Sequence, residues 1–410
     1  MVSVAAAAAV ALALSGWGGT TPAVAQEPDP VGGPRLGEPG LAVNLAAGVP
    51  APPALAAACY LLADLDSGDV VLAKCAHAKG LPASTMKVLT ALALVPRLDP
   101  ARVVLAAHDD AAVDGTKVGL QPGYGYTVDQ LTGAMLIGSA NDAANALARA
   151  NGGMAATAVQ MNEVAAGLGA RDTLAVNTSG LDASGQTTSV YDLALIGRAA
   201  LADPVVAGYV RSVRRDLPGH RIRGKPGARA TYEVSNHNDL LFSCPGTIGV
   251  KNGFTNAAGH TLIAAVRRGT RGYLLSYLGM AKRDWKTPAA LMEWAFAHGS
   301  QVSPIGRLVS PGTPADPADG LPARTDPGNP SVIGATPLVG TEPAAPATPT
   351  ADAMTAARER IEDPTPRWAL TGFVVLLLGL AVWRRRTLRA GRQRSRTASL
   401  GRSPGGSSGR

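Results

Sequence analysis

Residues 82–90 predict the start of a buried helix that carries a serine and a lysine one turn apart. A proline precedes this segment, and the almost wholly apolar run 86–95 ends at Pro96, as helix start and stop signals require. Residues three apart share a helical face, so the Ser84 hydroxyl and the Lys87 amine can come within hydrogen-bonding distance. Apolar surroundings lower the pKa of a lysine, which lets its amine accept the proton of a nucleophilic serine.

Composition divides the chain into one globular region and several flanking segments. Only residues 57–300 have the sequence of a packed domain. Residues 384–410 hold nine Arg and no acid, so the remainder of the chain carries −1 out of a net charge of +8. The basic charge therefore belongs to a tail, which argues against a nucleic-acid-binding surface on the domain.

The N-terminal residues predict an exported protein. Residues 1–25 have an apolar run and end in Ala-Val-Ala, as a secretory signal does, although no Lys or Arg precedes that run. A disordered Ala-rich terminus is the alternative. Residues 26–56 are rich in Pro, Gly and Ala without apolar periodicity, and we expect a flexible linker there.

Two strand-like runs, 59–65 and 70–75, flank a turn sequence and predict a β-hairpin. Cys59 and Cys75 each lie eight residues from Ser67, so symmetric pairing places them opposite one another, close enough for a disulfide in an oxidising compartment. Cys244 is then expected to be a buried small apolar residue. Three unpaired core cysteines remain the alternative.

The rest of the domain predicts a helical region followed by strands. Residues 101–202 are rich in Ala, Gly and helix formers and predict a helical insert. Residues 247–250 lead as a strand into Lys251, and runs 261–266 and 273–278 predict an antiparallel pair. A final amphipathic helix is expected at about 285–298.

The C-terminal part predicts a stalk and a membrane anchor. Residues 301–366 are rich in Pro, Ala and Thr and too poor in large apolar side chains to fold alone. Residues 367–383 are almost wholly apolar or small, with Trp near each end and three Arg following. Such a short helix spans ~24 Å against a ~30 Å hydrocarbon core, and interfacial Trp and Arg can cover the shortfall. The arginines predict that the tail, 384–410, is cytoplasmic and the domain extracellular.

Three short motifs follow one another inside the domain. They are Ser84-Thr85-Met86-Lys87, Ser139-Ala140-Asn141 and Lys251-Asn252-Gly253-Phe254-Thr255. Together they resemble the SxxK, SxN and KTG triplet of penicillin-binding proteins and serine β-lactamases. The context is most similar to the low-molecular-mass D-alanyl-D-alanine carboxypeptidases of peptidase family S11, over about residues 57–300.

The resemblance implies an α/β (α+β) fold of the penicillin-binding protein and β-lactamase-like transpeptidase type. An antiparallel five-stranded sheet would be packed by helices and accompanied by an all-helical subdomain. It also implies a peptidoglycan stem peptide as substrate, β-lactams as inhibitors and no cofactor. The six histidines have no metal-ligand spacing, so no metal site is expected.

The resemblance also implies a role for each motif residue. Ser84 would attack the carbonyl of the penultimate D-Ala, and Lys87 would take its proton. Ser139 would relay a proton to the departing D-Ala, and Lys251 would hold that serine and attract the terminal carboxylate. Asn141 would bind the peptide amide and brace Lys87.

The third motif departs from the family pattern, because Asn252 stands where the family has threonine. An amide can donate the same hydrogen bond to the substrate's terminal carboxylate with a longer reach, and Thr255 could share that role. The backbone N–H groups of Ser84 and Phe254 would form the oxyanion hole.

Two alternative functions stay open at this point. A class A-like β-lactamase shares the triplet but needs a deacylating Glu in an ExxLN setting, and no such string occurs between Asn141 and Lys251. A non-catalytic peptidoglycan-binding module would not need both Ser84 and Lys87.

Overall fold

The computed structural model of the protein describes residues 30–312 apart from residues 224 and 226. The predicted signal, the anchor and the tail therefore lie outside the described residues, as does most of the stalk. The strands are β1 (Leu41–Val43), β2 (Cys59–Asp64), β3 (Asp69–Lys74), β4 (Val103–Leu105), β5 (Gly125–Thr127), β6 (Arg214–Arg221), β7 (Arg229–Ser235), β8 (Thr247–Thr255), β9 (Gly259–Arg268), β10 (Arg271–Met280) and β11 (Gly306–Arg307).

Helices surround this sheet structure. They are α1 (Met86–Leu94), α2 (His108–Ala112), α3 (Val128–Ile137), α4 (Asn141–Ala150), α5 (Met154–Gly167), α6 (Val190–Ala202), α7 (Pro204–Arg211), α8 (Leu240–Ser243) and α9 (Lys286–His298). The α9 bounds agree with the helix predicted at 285–298. Several starts follow capping rules: the Ser189 hydroxyl accepts from the Asp192 N–H at the start of α6, and Thr127 forms a capping box with Gln130 at α3.

The main sheet is antiparallel in the order β1-β3-β2-β10-β9-β8, with β11 also paired to β3. Five of these strands, β3-β2-β10-β9-β8, form the expected five-stranded sheet. Alternate residues of β10 enter different cores: Leu274 and Leu278 pack toward the helical region, while Tyr273, Leu275 and Tyr277 pack on the side of α9. Both faces of the sheet are therefore covered, and β8 is left as an edge strand.

The helical region lies on one face of the sheet and holds α1 at its centre. α1 packs against α5, α6 and α3, and all but one of its nine residues are buried. The expected all-helical subdomain is wrong in detail, because two hairpins accompany the helices, β4 with β5 and β6 with β7. Three-residue strands such as β4 and β5 are too short to leave an alternating pattern in the sequence.

The segment predicted as a linker is part of the domain from residue 30 onward. β1 pairs with β3 in the register Leu41↔Lys74, and Leu36 is buried. The Trp294 indole N–H donates to the Pro50 carbonyl over 2.9 Å. Single buried side chains and backbone pairing hold this segment, and neither gives an apolar periodicity that a sequence could reveal.

The domain also extends past residue 300, where the stalk was predicted to begin. Gly306 pairs with Val70, and the Leu308 N–H donates to the Gly68 carbonyl over 2.8 Å. The domain thus includes the described residues 30–56 and 301–312 in addition to the predicted 57–300.

No single helix within residues 30–312 is long and apolar enough to cross a membrane. One pair, α6 with α7, meets the length and composition requirement only jointly and is bent by 102° at its junction.

Cys59 and Cys75 are joined by a disulfide across the β2–β3 hairpin, with their Cα atoms 5.4 Å apart. The register Tyr60↔Lys74 places the two cysteines at the next opposed position. Cys244 is a buried free cysteine.

We predict that exported protein contains the Cys59–Cys75 disulfide. Non-reducing peptide mapping should find the two cysteine peptides linked, and reduced protein provides the control. Since the bond closes a loop with a sequence separation of 16, the double variant Cys59→Ser, Cys75→Ser should lose about 3 kcal/mol of unfolding free energy in guanidinium titrations. Two free thiols in the native protein would contradict the prediction.

Candidate active site

Ser84 lies in a 3-10 turn, Ala83–Thr85, that leads directly into α1. Ala83 has a φ of 47°, in the left-handed region, which costs a non-glycine residue about 1 to 3 kcal/mol. Gly180 lies against this turn so closely that a Cβ on it would be 1.7 Å from the Ala83 carbonyl oxygen. The Thr261 hydroxyl donates to the Pro82 carbonyl over 2.9 Å. Neighbouring elements thus hold Ser84 at the start of the helix.

Lys87 is fully buried one turn beyond Ser84, and its amine has three polar neighbours. Nζ lies 2.9 Å from the Ser84 hydroxyl oxygen, 2.7 Å from Asn141 Oδ1 and 2.5 Å from the Ser179 carbonyl oxygen. Asn141 and Ser179 present only acceptors, so two N–H bonds of the amine point at them. The remaining tetrahedral position faces Ser84, and in a neutral amine that position is a lone pair able to accept the serine proton.

The surroundings of Lys87 favour this neutral form. Burial lowers the pKa of Lys87 well below its usual range, and the positive charge of nearby Lys251 lowers it further. The Asp142 carboxylate acts in the opposite direction on this pKa. Burial and the charge of Lys251 together make the uncharged Lys87 amine the form that the site stabilises.

Asn141 is oriented by contacts on both ends of its side-chain amide. Its Oδ1 faces Lys87, while its Nδ2 donates to the Asp114 carbonyl over 2.6 Å. Its backbone N–H, at the start of α4, donates to the Thr116 carbonyl over 2.8 Å. These contacts give Asn141 the bracing geometry expected from the sequence.

Ser139, two residues earlier, is buried and has a φ of 58°. This left-handed conformation turns the chain sharply between α3 and α4 and places Ser139 and Asn141 in one loop beside α1. Backbone strain at a buried polar residue is typical of a functional site.

The loop at residues 177–186 supplies the backbone carbonyl that binds Lys87. Asn177 Oδ1 accepts from the Ser179 and Gly180 N–H groups, over 3.2 and 2.8 Å. The Gln186 side chain accepts from the Asn177 N–H and donates to the Leu181 carbonyl. This network makes the loop a rigid wall that fixes the position of the Ser179 carbonyl.

Strand β8 passes directly beside the Ser84 turn. A Cβ on Gly253 would be 2.6 Å from the Ser84 backbone nitrogen and 2.5 Å from the Thr261 hydroxyl oxygen, so only glycine fits at this point. Since β8 is an edge strand, it has backbone groups without a strand partner on the outer side. The expected oxyanion hole of the Ser84 and Phe254 N–H groups would lie where β8 passes this turn.

Lys251 is fully buried on β8, and burial lowers its pKa to about 7. Its Nζ donates to the Asn252 carbonyl over 2.7 Å and to Asn252 Oδ1 over 3.3 Å. Among the described residues no hydrogen bond joins Lys251 to Ser139, contrary to the expectation that Lys251 holds this serine. The Lys251 side chain is flexible, and its amine binds the acceptors of the adjacent residue, Asn252.

A cleft of about 320 Å³ opens beside Ser84. It is lined by Ser84, Gly115, Thr116, Asn141, Gly180, Leu181, Phe254 and Thr255. A stretched peptide end could enter this space with a carbonyl next to the Ser84 hydroxyl.

Asn252 and Thr255 differ in their relation to this cleft. Asn252 lines a separate small cavity with His237 and is not among the described residues that line the Ser84 cleft. Thr255 lines the Ser84 cleft, and its hydroxyl donates to Asp182 Oδ1 over 2.8 Å. The structure thus places Thr255 in the cleft, while Asn252 contacts Lys251 from the side.

The sequence profile of the D-alanyl-D-alanine carboxypeptidase family, peptidase S11, matches residues 46–278. The chain belongs to this family. The resemblance proposed from the three motifs is therefore confirmed, and acylation by β-lactams is general to the family.

Individual S11 relatives agree in sequence and in fold. The chain is 38% identical to D-alanyl-D-alanine carboxypeptidase DacB2 of Mycobacterium tuberculosis over 261 residues, 61% of this chain and 85% of the relative. It is similar to the crystal structure of a D-alanyl-D-alanine carboxypeptidase from Mycobacterium tuberculosis, with a TM-score of 0.60 and 37% identity over 65% of this chain and all of the other. Penicillin-binding protein 6B of Escherichia coli gives a TM-score of 0.53 and 27% identity over 62% of this chain and 81% of the other. The predicted fold class is confirmed.

Some S11 site groups were not singled out from the sequence. The Ser179 carbonyl is a backbone group, so no residue type at position 179 signals its contact with Lys87. Buried Asp142 accepts from the Gly119 and Leu120 N–H groups, over 2.8 and 3.0 Å, and thereby shapes the loop that carries Thr116. The position of Asp142 directly after the Ser-Ala-Asn motif was the available signal for it.

We predict that acylation by a fluorescent penicillin requires neutral Lys87. The acylation rate constant should rise with pH, and the midpoint should lie below the ordinary lysine pKa of about 10.4, because burial lowers the pKa of Lys87. Lys87→Met should slow labelling by about 10²- to 10⁴-fold and remove this acid limb. The exposed Lys79→Met is the control that should match wild type. A Lys87→Met profile identical to that of wild type would refute the assignment.

Proposed function

We propose that the protein is a serine-type D-alanyl-D-alanine carboxypeptidase that removes the terminal D-Ala from peptidoglycan stem pentapeptides. The observation that supports it most is the 2.9 Å contact between the Ser84 hydroxyl and the buried amine of Lys87 at the cleft. A serine hydroxyl is a weak nucleophile until a neighbouring base takes its proton.

In the acylation step, Ser84 Oγ would attack the carbonyl carbon of the penultimate D-Ala while its proton moves to Lys87. The oxygen of that carbonyl becomes negative in the transition state. Backbone N–H groups of Ser84 and Phe254 would stabilise it, and one such donor contributes about 3 to 4 kcal/mol.

Collapse of this intermediate would break the bond to the nitrogen of the terminal D-Ala. That nitrogen needs a proton to leave as an amine, and Ser139 would relay the proton that Lys87 has taken. A water molecule would then attack the acyl carbonyl carbon while Lys87 again accepts a proton. Lys87 would return that proton to Ser84 Oγ as the ester bond breaks, which releases the shortened peptide and restores the Ser84 hydroxyl.

The terminal carboxylate of the substrate would be recognised by Lys251 and Thr255. Since the pKa of Lys251 lies at about 7 in the free protein, an arriving carboxylate would raise that pKa and hold the ammonium charged. The position of Asn252, beside Lys251 and away from the cleft, supports a role in orienting that lysine in place of the direct carboxylate contact inferred from the sequence.

The β-lactamase alternative gains no support from the cleft. A class A-like enzyme needs a carboxylate that activates the deacylating water, and no Glu is among the described side chains that line the cleft. A non-catalytic binding module would gain nothing from the buried Lys87 amine, whose burial lowers the stability of the fold.

We predict that Ser84→Ala abolishes both labelling by a fluorescent penicillin and release of D-Ala from a pentapeptide. Removing a catalytic serine typically lowers turnover on the order of 10⁶-fold. The exposed Ser303→Ala is the control and should behave as wild type. In wild type, peptide mapping should place the label on Ser84.

Two outcomes would contradict this proposal. A Ser84→Ala variant that still labels would place the nucleophile elsewhere. Wild-type protein that binds the pentapeptide without releasing D-Ala would favour the non-catalytic binding module.

We also propose that a helix at 367–383 anchors the protein in the cell membrane, with the domain on the cell-wall side and the tail in the cytoplasm. The supporting features are its apolar composition, the Trp near each end and the following arginines. A tether of roughly 54 residues after Gly312 would reach about 40 Å if it behaves as a flexible chain. That distance would let the domain work on the wall while attached.

We predict that deleting residues 367–410 releases active protein into the medium. Penicillin labelling of culture supernatant and membrane fractions measures the distribution. Deleting only residues 403–410 should leave the protein with the membranes and is the matched control. Truncated protein that stays in the membrane fraction would indicate an N-terminal attachment instead.

A further inference from the structure

A second cavity, of about 360 Å³, lies away from the Ser84 cleft, where the β2–β3 turn meets the ends of α5, α6 and α7. It is lined by Leu65, Asp66, Leu168, Leu195, Arg198, Arg211, Ile248, Arg267, Val309, Ser310 and Pro311, with three further alanine and leucine residues of α6. The proposed catalytic function makes no use of it.

More positive than negative side chains line this cavity. Arg267 pairs with the Asp66 carboxylate over 2.7 Å. Arg198 donates to the carbonyls of Leu65 and Asp66 and has no acidic partner within residues 30–312. Arg211 has no hydrogen-bond or ion-pair partner among the residues that the structure describes. Three guanidinium groups against one carboxylate leave a net charge of +2 at the rim.

The floor of the cavity is apolar. Leu195 is buried, and Leu65, Leu168, Ile248 and Val309 contribute further hydrocarbon surface. An occupant that complements both parts would be acidic along one side and apolar along another.

The C-terminal end of the described residues forms part of the wall of this cavity. The Val309 N–H donates to the Tyr191 hydroxyl over 3.0 Å, and the Gly312 N–H donates to the Gly167 carbonyl over 2.9 Å. Ser310 and Pro311, between these two attachments, form part of the lining. The residues after Gly312 therefore start at the edge of the cavity.

The sequence that follows has a three-residue repeat. Residues 314–319 read Pro-Ala-Asp-Pro-Ala-Asp, and Gly320 and Leu321 come next. In a polyproline II conformation, which prolines favour and which has three residues per turn, Asp316 and Asp319 share one face. Ala315, Ala318 and Leu321 share another face. The segment thus carries two negative charges on one side and an apolar stripe on a second.

We propose that residues 313–321 bind across this cavity, with Asp316 and Asp319 facing the arginines and with Ala315, Ala318 and Leu321 against the apolar floor. The two aspartates match the net charge of +2. The cavity volume suits a few side chains while the backbone crosses its mouth. Reach is not limiting, because Asp316 is four residues beyond Gly312 and an extended chain covers about 13 Å in that length.

This contact would set where the tether leaves the domain. The structured body would then extend to Leu321, and the proposed tether would shorten to roughly 45 residues, or about 37 Å of reach. Ion pairs at a cavity rim are weak one by one and weaken with salt. The contact should therefore be salt-sensitive.

Cysteine cross-linking in the full-length protein tests the proposal. In a Cys244→Ala background, Ala202→Cys on the cavity wall is combined with Ala318→Cys. The exposed Ala156→Cys on α5, combined with the same Ala318→Cys, is the matched control. The Ala202 pair should form an intramolecular disulfide at least about 10-fold faster under mild oxidation, because docking raises the effective concentration.

The charge match is tested in the same background. Asp316→Asn with Asp319→Asn should slow cross-linking of the Ala202 pair, as should Arg211→Gln or high salt. Asp326→Asn with Glu342→Gln, the control, should not. Penicillin labelling verifies the fold of each variant. Equal rates for the Ala202 and Ala156 pairs, or no effect of the aspartate changes, would overturn the proposal.

Discussion

The buried amine of Lys87 is the group on which the arrangement of this protein depends. A lysine amine in an apolar interior is stable only if its polar positions have hydrogen-bonding partners, and here three separate elements provide them: the Ser84 turn, α4 and the loop at residues 177–186. Those elements must pack together for the amine to be satisfied. The same packing lowers the pKa of Lys87 and so creates the base that the nucleophile needs. Stability of the core and reactivity of the site follow from one contact network.

Backbone strain at two positions accompanies that network. Ala83 and Ser139 both have a left-handed φ, and each lies next to a residue of the site. Two close approaches surround the strained turn. Gly180 packs against the Ala83 carbonyl, and Gly253 allows β8 to approach the Ser84 nitrogen. These two glycines thus allow a helix, a loop and an edge strand to approach one another closely at the Ser84 turn.

Two buried lysines, Lys87 and Lys251, determine the positive charge at the site. Lys87 and Lys251 are both fully buried, and the charge of Lys251 adds to burial in lowering the pKa of Lys87. Under the proposed function, a substrate carboxylate beside Lys251 would stabilise the ammonium form of that lysine, while the low pKa of Lys87 follows mainly from its own burial.

Local features of the chain could be predicted from the amino-acid sequence alone. The helical spacing of Ser84 and Lys87, the symmetric placement of Cys59 and Cys75 about one turn, and the strand-like runs of β9 and β10 each depend on residues close together in the chain. The order of the three motifs can also be read directly along the chain. Tertiary structure decided the rest. The Ser179 carbonyl binds Lys87 through a backbone atom, and the residue type at a position does not predict such a contact. The packing of β8 beside the Ser84 turn put Thr255 in the cleft and Asn252 in a separate cavity. The segment around β1 joined the sheet because backbone pairing with a distant strand needs no apolar periodicity, and only the folded chain brings that partner near.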